Sequence, residues 1–353
     1  MANTTVLKIQ RHQNVGTIED LYEQMDSAKG EVAIQPSTRL DDARICGRGD
    51  LIQFLLTWAD RFPTSDVVTH IQPSASSEEA INQLQSLFDT EHGFVVSRIS
   101  QKNALLPSRH FCRTDGTQLE ESIVVSAFDS PLIKNRPRPM EKGYRGFLCL
   151  DNALEERKEY LPGFSNVYKS RAHGFAAREE FDDLLWRLTN RAVKAIKNRD
   201  LAEGLTSPKL KTVLSNSSRI FYELFENADR WGRRDFGENS IRGAMVAVHF
   251  RESITQTSLS KQVDKDSPLF AYLSESKSIH GAESQEFVEI SVFDNGPTLA
   301  RQYLGRNPRT LKEEWATTFY CLVKAVGKSQ YENEGQGLFH VMRLLNSCRG
   351  FLR

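Results

Sequence analysis

Two hydrophobic periods alternate along the first hundred residues, and that alternation restricts the chain to a layered arrangement of helices on a sheet. From Leu51 to Ala59 the apolar residues return at helical spacing, whereas Val67 to Ile71 and Phe94 to Ile99 are β-branched runs of strand length. A succession of strand, helix, strand, helix, strand buries one stripe of each helix against a shared sheet, which makes a small α/β layer domain. At 353 residues the chain exceeds what a single core usually organises, so two domains are expected.

Composition narrows the functional classes. Hydrophobic residues make up 39% and charged residues 26%, the balance of a globular chain. Lysine plus arginine and aspartate plus glutamate number 46 each, so no overall field draws in nucleic acid or an anionic surface, and an anionic ligand must be held by a local site. No run of eighteen uncharged apolar residues occurs, and the N-terminus lacks an apolar stretch of signal-peptide length; a cytoplasmic protein without membrane partners is expected. Cys46, Cys112, Cys149, Cys321 and Cys348 are scattered, with no Cys-x-x-Cys pair, and no histidines share metal spacing. Neither a disulfide framework nor a zinc cage is implied.

Further along, three prolines between Pro131 and Pro139 mark a connection, and a strand is expected between Gly143 and Leu150. Phe181, Leu184, Leu185, Leu188, Ala192, Val193 and Ile196 follow a helical period between Glu179 and Arg199. These signals divide the chain into an N-terminal α/β regulatory or interaction domain (1–160), a helical connection (161–209) and a third region (210–353). In the last, a helix from Leu210 to Trp231 precedes a strand at Met245 to Phe250. A serine-rich polar stretch from Arg251 to Glu286 reads as a mobile insertion or a long surface loop. A strand at Phe287 to Phe293 ends in Asp294-Asn295-Gly296-Pro297. Helices are expected from Leu311 to Val326 and from Leu338 to Leu345.

The chemistry concentrates in this last region. Phe221, Leu224, Phe225 and Ala228 form an apolar stripe, and Glu223, Asn227 and Arg230 form a second stripe on the same helix. Side chains at these spacings stand about 5–6 Å apart at Cβ, so a carboxylate, an amide and a guanidinium project from one edge. The amide offers a neutral oxygen suited to Mg2+, the carboxylate can take a proton, and the guanidinium can pair with phosphate. Asp294 sets an acceptor carboxylate at a strand end beside Gly296, where backbone can pass close to a flat ligand. Gly335-Gln336-Gly337 stands before an apolar helix and offers free backbone N–H groups at a helix N-terminus, favourable to phosphate.

Taken in order, these residues resemble the GHKL ATPase superfamily of gyrase-type topoisomerases, heat-shock chaperones, sensor histidine kinases and MutL-type repair proteins. The resemblance covers residues 210–353. It implies a Bergerat-type two-layer α/β sandwich with a mixed sheet, so the fold class expected for the whole chain is α+β or α/β. Glu223-Leu224-Phe225-Glu226-Asn227-Ala228 matches the family's N-box helix, which implies Glu223 as the base that activates water and Asn227 as the Mg2+ ligand. Arg230 stands where histidine kinases carry a basic residue that reaches phosphate. Asp294 and Gly296 match the adenine-binding Asp-x-Gly-x-Gly motif, with Thr298 in place of its second glycine. Gly335 and Gly337 correspond to the glycines that line the triphosphate at the ATP lid. The family continues past its lid helix with further strands, so the region reads as C-terminally incomplete at Gly350 to Arg353.

Three outputs are compatible with the resemblance. A Mg-ATP-driven conformational switch is the first, coupled to a protein partner or to a second protomer through the ATP lid. A protein kinase of the histidine-kinase or anti-sigma-factor serine-kinase type is the second, although His173 does not sit in a phosphoacceptor box. The third is a degenerate binding platform. Arg230, Arg233 and Arg234 leave room for nucleic acid, which the net charge does not support. In the N-terminal domain, Cys46-Gly47-Arg48-Gly49-Asp50 reads either as a phosphate-binding turn or as an ordinary helix start.

Overall fold

The computed structural model describes residues 4–38, 40, 47–100, 108–128, 144–145, 148–151, 215–224, 227, 244–255, 263, 265–280, 284–293, 296–323 and 337–348. The helix expected between Glu179 and Arg199 and the proline-bearing connection lie outside these residues. The chain divides into two compact units, Met1–Arg138 with Ser253–Gln285, and Pro139–Glu252 with Glu286–Arg353. Among the described residues no helix is long and apolar enough to cross a membrane.

The first unit is a parallel α/β layer. Strands β1 (Thr5–Lys8), β2 (Val32–Gln35), β3 (Val67–Val68) and β4 (Phe111–Cys112) lie in the sheet in sequence order. Each pairs in parallel with the next, with Thr5 opposite Val32, Ile34 opposite Val67 and Val67 opposite Phe111. The intervening helices are α1 (Val15–Ser27), α2 (Gly47–Arg61), α3 (Ser77–Phe88) and α4 (Glu91–Ile99), with α5 (Glu121–Phe128) after the last strand. Val32, Ala33 and Ile34 are all buried, as expected of a parallel strand covered on both faces.

Local chemistry sets the helix starts. Asn14 Oδ1 accepts from Thr17 N at 2.8 Å while Asn14 N donates to Thr17 Oγ1, and Ser76 and Glu79 make the same reciprocal pair on α3. Gly47 to Asp50 are helical, so the Gly-x-Gly of this unit forms the first turn of α2.

The run Phe94 to Ile99 departs from the expected strand and forms the body of α4. Thr90 starts that helix: its carbonyl accepts from Phe94 N and its hydroxyl from Gly93 N. Gly93 permits the tight corner with α3, because an added Cβ would lie 1.8 Å from the Leu87 carbonyl oxygen. A β-branched run of this length carries no period of its own, and packing of α4 against α2 and α3 decides its form.

The interior of this unit turns on Trp58 and Arg109. Fully buried Trp58 donates Nε1 to the Val32 carbonyl at 2.6 Å, which ties α2 to the central strand. The Arg109 guanidinium lies over the Trp58 ring at 4.3 Å and donates to the carbonyls of Ala59, Phe62 and Ser65. These carbonyls surround the C-terminal end of α2, where a cation also meets the helix dipole. Phe88, Phe111 and Phe128 interlock nearby, with ring centroids 5.3–6.0 Å apart.

The second unit carries the antiparallel pairing. Strands β5 (Tyr144–Arg145) and β6 (Leu148–Asp151) run against β7 (Ala244–Thr255) in one unslipped register, from Tyr144 opposite Arg251 to Asp151 opposite Ala244. Strand β8 (Ser284–Phe293) also pairs with β7. Helix α6 spans 215–224, and Asn227 is helical beyond it. The polar stretch expected to be a mobile insertion or surface loop, assigned from Ser253 to Gln285 to the first unit, instead holds the end of β7, helix α7 (Pro268–His280) and the start of β8. Val263, Leu269 and Leu273 are buried there, and those apolar side chains outweigh the serine-rich composition around them.

After β8 come α8 (Leu299–Leu304), α9 (Leu311–Val323) and α10 (Gly337–Cys348), with α9 packed between the other two. Gly305 ends α8 in the left-handed region at φ 65°. Glu313 then clamps the corner: its carboxylate accepts from both Arg306 Nη atoms and, at 2.6 Å, from Arg309 N. The Arg306 hydrogen bonds, followed by that of Arg309, hold the Glu313 pKa down at about 2.

Arg109→Ala should destabilise the first unit by about 3 kcal/mol, since it strips buried carbonyls of a charged donor; a denaturant midpoint unchanged from wild type would refute the capping role. In a carboxyl-detected NMR titration, Glu313 should show its midpoint near 2 rather than at the ordinary 4.5. Folding depresses this pKa, so the clamp contributes fully above the ordinary carboxylate range and fades as pH falls through about 2. A midpoint at the ordinary value would mean that the clamp does not form in solution.

Candidate functional site

Helix α6 owes its position to its apolar stripe: Ile220 and Phe221 are buried, with Phe221 fully so. Burying that face leaves Glu223 and Asn227 half-buried along the other edge, one turn apart. Asn227 Nδ2 donates to the Glu223 backbone carbonyl at 2.9 Å. This bond uses one of the two N–H donors of the amide, and Oδ1 accepts no hydrogen bond among the described residues. The Glu223 carboxylate makes no hydrogen bond or ion pair among the described residues.

Gly337, the first residue of α10, comes up against this edge from over a hundred residues further along the chain. A Cβ built on it would stand 2.6 Å from Glu223 Oε2 and 3.5 Å from Asn227 Nδ2. Carboxylate, amide and bare backbone therefore share one small space, and any side chain at 337 would fill it. The N-terminal turn of α10 has N–H groups without helical partners, and its dipole favours negative charge. Val341, fully buried, anchors the apolar face of α10.

Of the seven residues expected to form the site, Glu223, Asn227, Gly296 and Gly337 fall among the described residues; Arg230, Asp294 and Gly335 lie outside them. The structure brings Glu223, Asn227 and Gly337 together. Gly296 is half-buried just past β8, three residues before α8. Thr298, where the resemblance has a glycine, is the N-cap of α8: φ is −55°, and its hydroxyl accepts from Arg301 N at 3.3 Å. A backbone of that kind needs no glycine, and a hydroxyl is the preferred cap. Gln302 Nε2 donates to the Pro297 carbonyl at 2.8 Å and closes the same turn.

One residue on this edge escaped the sequence reading. Arg219 stands one turn before Glu223, and its Nε is shielded from solvent without a hydrogen bond. Extending the Glu223–Asn227 spacing back by four residues would have found it.

Among the described residues no group of three or more His, Cys, Asp or Glu stands together as a metal cage. The Asn227 carboxamide oxygen is of the type that hard cations such as Mg2+ take as a ligand. Models of protein families, curated proteins and solved structures, compared with this chain, give no match.

Gly337→Ala should leave the unfolding free energy within about 1 kcal/mol of wild type, because the yielding group is the far end of a flexible side chain and alanine favours the helix. It should displace the Glu223 carboxylate, visible as a changed Glu223 side-chain resonance. A loss well beyond that margin would mean that the carboxylate is rigidly held.

Proposed function

We propose that the region 210–353 is a GHKL-type nucleotide-binding domain that binds Mg-ATP and hydrolyses it, acting as a conformational switch. The observation that supports this reading is the meeting of Gly337 with Glu223 and Asn227. The glycine ahead of α10 and the carboxylate–amide pair of α6 belong to separate motifs of the resemblance, and they lie side by side. Backbone N–H groups at a helix N-terminus, here beside Glu223 and Asn227, are the kind of element that receives phosphate.

Each side chain has a use there. Glu223 Oε2, which accepts no hydrogen bond among the described residues, can accept a proton from a water molecule. That water's oxygen bonds to the terminal phosphorus while the bond to the bridging oxygen breaks and ADP departs with the electron pair. Asn227 is held by its bond to the Glu223 carbonyl with Oδ1 free to ligate Mg2+, which when bound neutralises phosphate charge. Arg230, Asp294 and Gly335 enter from the sequence resemblance, as a phosphate partner, an acceptor for the adenine amino group and a second glycine beside the triphosphate.

Incubation of the full chain with γ-labelled ATP and Mg2+ tests the reading. Free labelled phosphate is expected, and Glu223→Ala should bind ATP while releasing phosphate about 10²–10⁴-fold more slowly. Asp294→Asn should weaken adenine nucleotide binding about tenfold, as loss of a charged hydrogen bond implies. Label appearing on protein would replace hydrolysis by kinase action. Absence of nucleotide binding would remove the reading altogether.

A further inference from the structure

Arg219 stands one turn ahead of Glu223 on α6, as Glu223 stands one turn ahead of Asn227. One edge of the helix thus carries a guanidinium, a carboxylate and a carboxamide in line, roughly 6 Å apart along the axis. Arg219 is half-buried, and its Nε is shielded from solvent with no hydrogen-bond partner. A shielded donor without an acceptor carries its full desolvation cost, and a guanidinium cannot escape that cost by giving up its proton. Such atoms are rare enough in folded chains to require an explanation.

The acceptor nearest in sequence on that edge is the Glu223 carboxylate, and it does not serve. Among the described residues Arg219 and Glu223 make no ion pair, and Glu223 Oε2 lies instead at Gly337, 2.6 Å from where a Cβ would stand. An arginine four residues ahead of a glutamate is also the weaker order for a helical pair. The Nε–H of a guanidinium and the Nη–H beside it point the same way and form a fork that takes two oxygens of one oxyanion. Arg219 therefore keeps a phosphate-matching fork unengaged beside the carboxylate of the candidate site.

We propose that Arg219 receives the terminal phosphate of a bound nucleoside triphosphate and makes the site prefer a triphosphate to a diphosphate. This assignment rests on the nucleotide reading and supplies the far end of its phosphate chain. In that reading Glu223 takes a proton from the water at the terminal phosphorus, so the terminal phosphate lies within one water molecule of Glu223. Asn227 stands on one side of Glu223 and Arg219 on the other. The arginine side chain is long enough to meet the oxygens of that last phosphate from the next turn. A diphosphate has no group there and leaves the fork as empty as it is without ligand. The same contact offsets the charge spread over the terminal oxygens as the bridging bond breaks.

Calorimetric titration of the full chain in Mg2+, with ADP and with the non-hydrolysable β,γ-imido analogue of ATP, tests the assignment without depending on turnover. Wild type should bind both, the analogue more tightly. Arg219→Ala should weaken the analogue about tenfold and change ADP affinity by less than about twofold, as loss of a charged hydrogen bond to the terminal phosphate alone implies. Arg219→Lys keeps the charge but not the fork, and should weaken the analogue about threefold with ADP again unchanged. An Arg219→Ala variant that loses both ligands equally, or neither, overturns the assignment and leaves the nucleotide reading standing. A wild type that binds neither ligand overturns both. If circular dichroism shows that Arg219→Ala does not fold, Arg219→Lys decides, and an analogue affinity equal to wild type counts against the assignment.

Discussion

The candidate site depends on how closely backbone can approach a side chain at Gly337. The α6 edge carries a carboxylate that is unpaired among the described residues and an amide bonded back to the Glu223 carbonyl. Those two groups become a site only when a third element comes near enough to enclose them without filling the space. A glycine at the start of α10 does so, with its missing Cβ falling 2.6 Å from the carboxylate oxygen. Any other residue there would trade that space for packing. The apolar faces of α6 and α10, each with a fully buried residue in Phe221 and Val341, maintain the approach from behind.

The N-terminal unit spends its polar groups differently. Trp58 and Arg109 are used entirely on architecture, joining the end of α2 to the central strand and covering its last carbonyls. Its Gly-x-Gly is the opening turn of a helix. A parallel sheet of this kind needs both faces covered, and the buried run of β2 shows that they are. The residues expected to form the site all belong to the second unit.

Helix α9 illustrates a different use of amphipathicity. Its inward polar residues are accommodated because the Arg306–Glu313 clamp and the Thr310 cap satisfy the carboxylate and the first-turn N–H groups. With those groups paired at the corner, the apolar residues are left to face outward. Hydrophobic period alone places a stripe on a helix, but it does not say which way the stripe points.

Much of this was legible in the residues themselves. The strands at Val67, at Met245 to Phe250 and at Phe287 to Phe293, the helices at Leu51, Leu311 and Leu338, and the one-turn spacing of Glu223 and Asn227 follow from local periodicity, which a chain carries wherever it packs. Three matters were not legible. Phe94 to Ile99 became a helix because Thr90 caps it and neighbouring helices cover it; Arg251 to Glu286 became strand and helix because Val263, Leu269 and Leu273 find a core; and Thr298, where the resemblance has a glycine, is the cap of α8. Most of all, the sequence determined which groups stand on the edge of α6, since one helix sets their spacing. Only the tertiary structure decided that Gly337 meets them, because an approach between residues so far apart in the chain is fixed by the packing of whole helices rather than by any local preference.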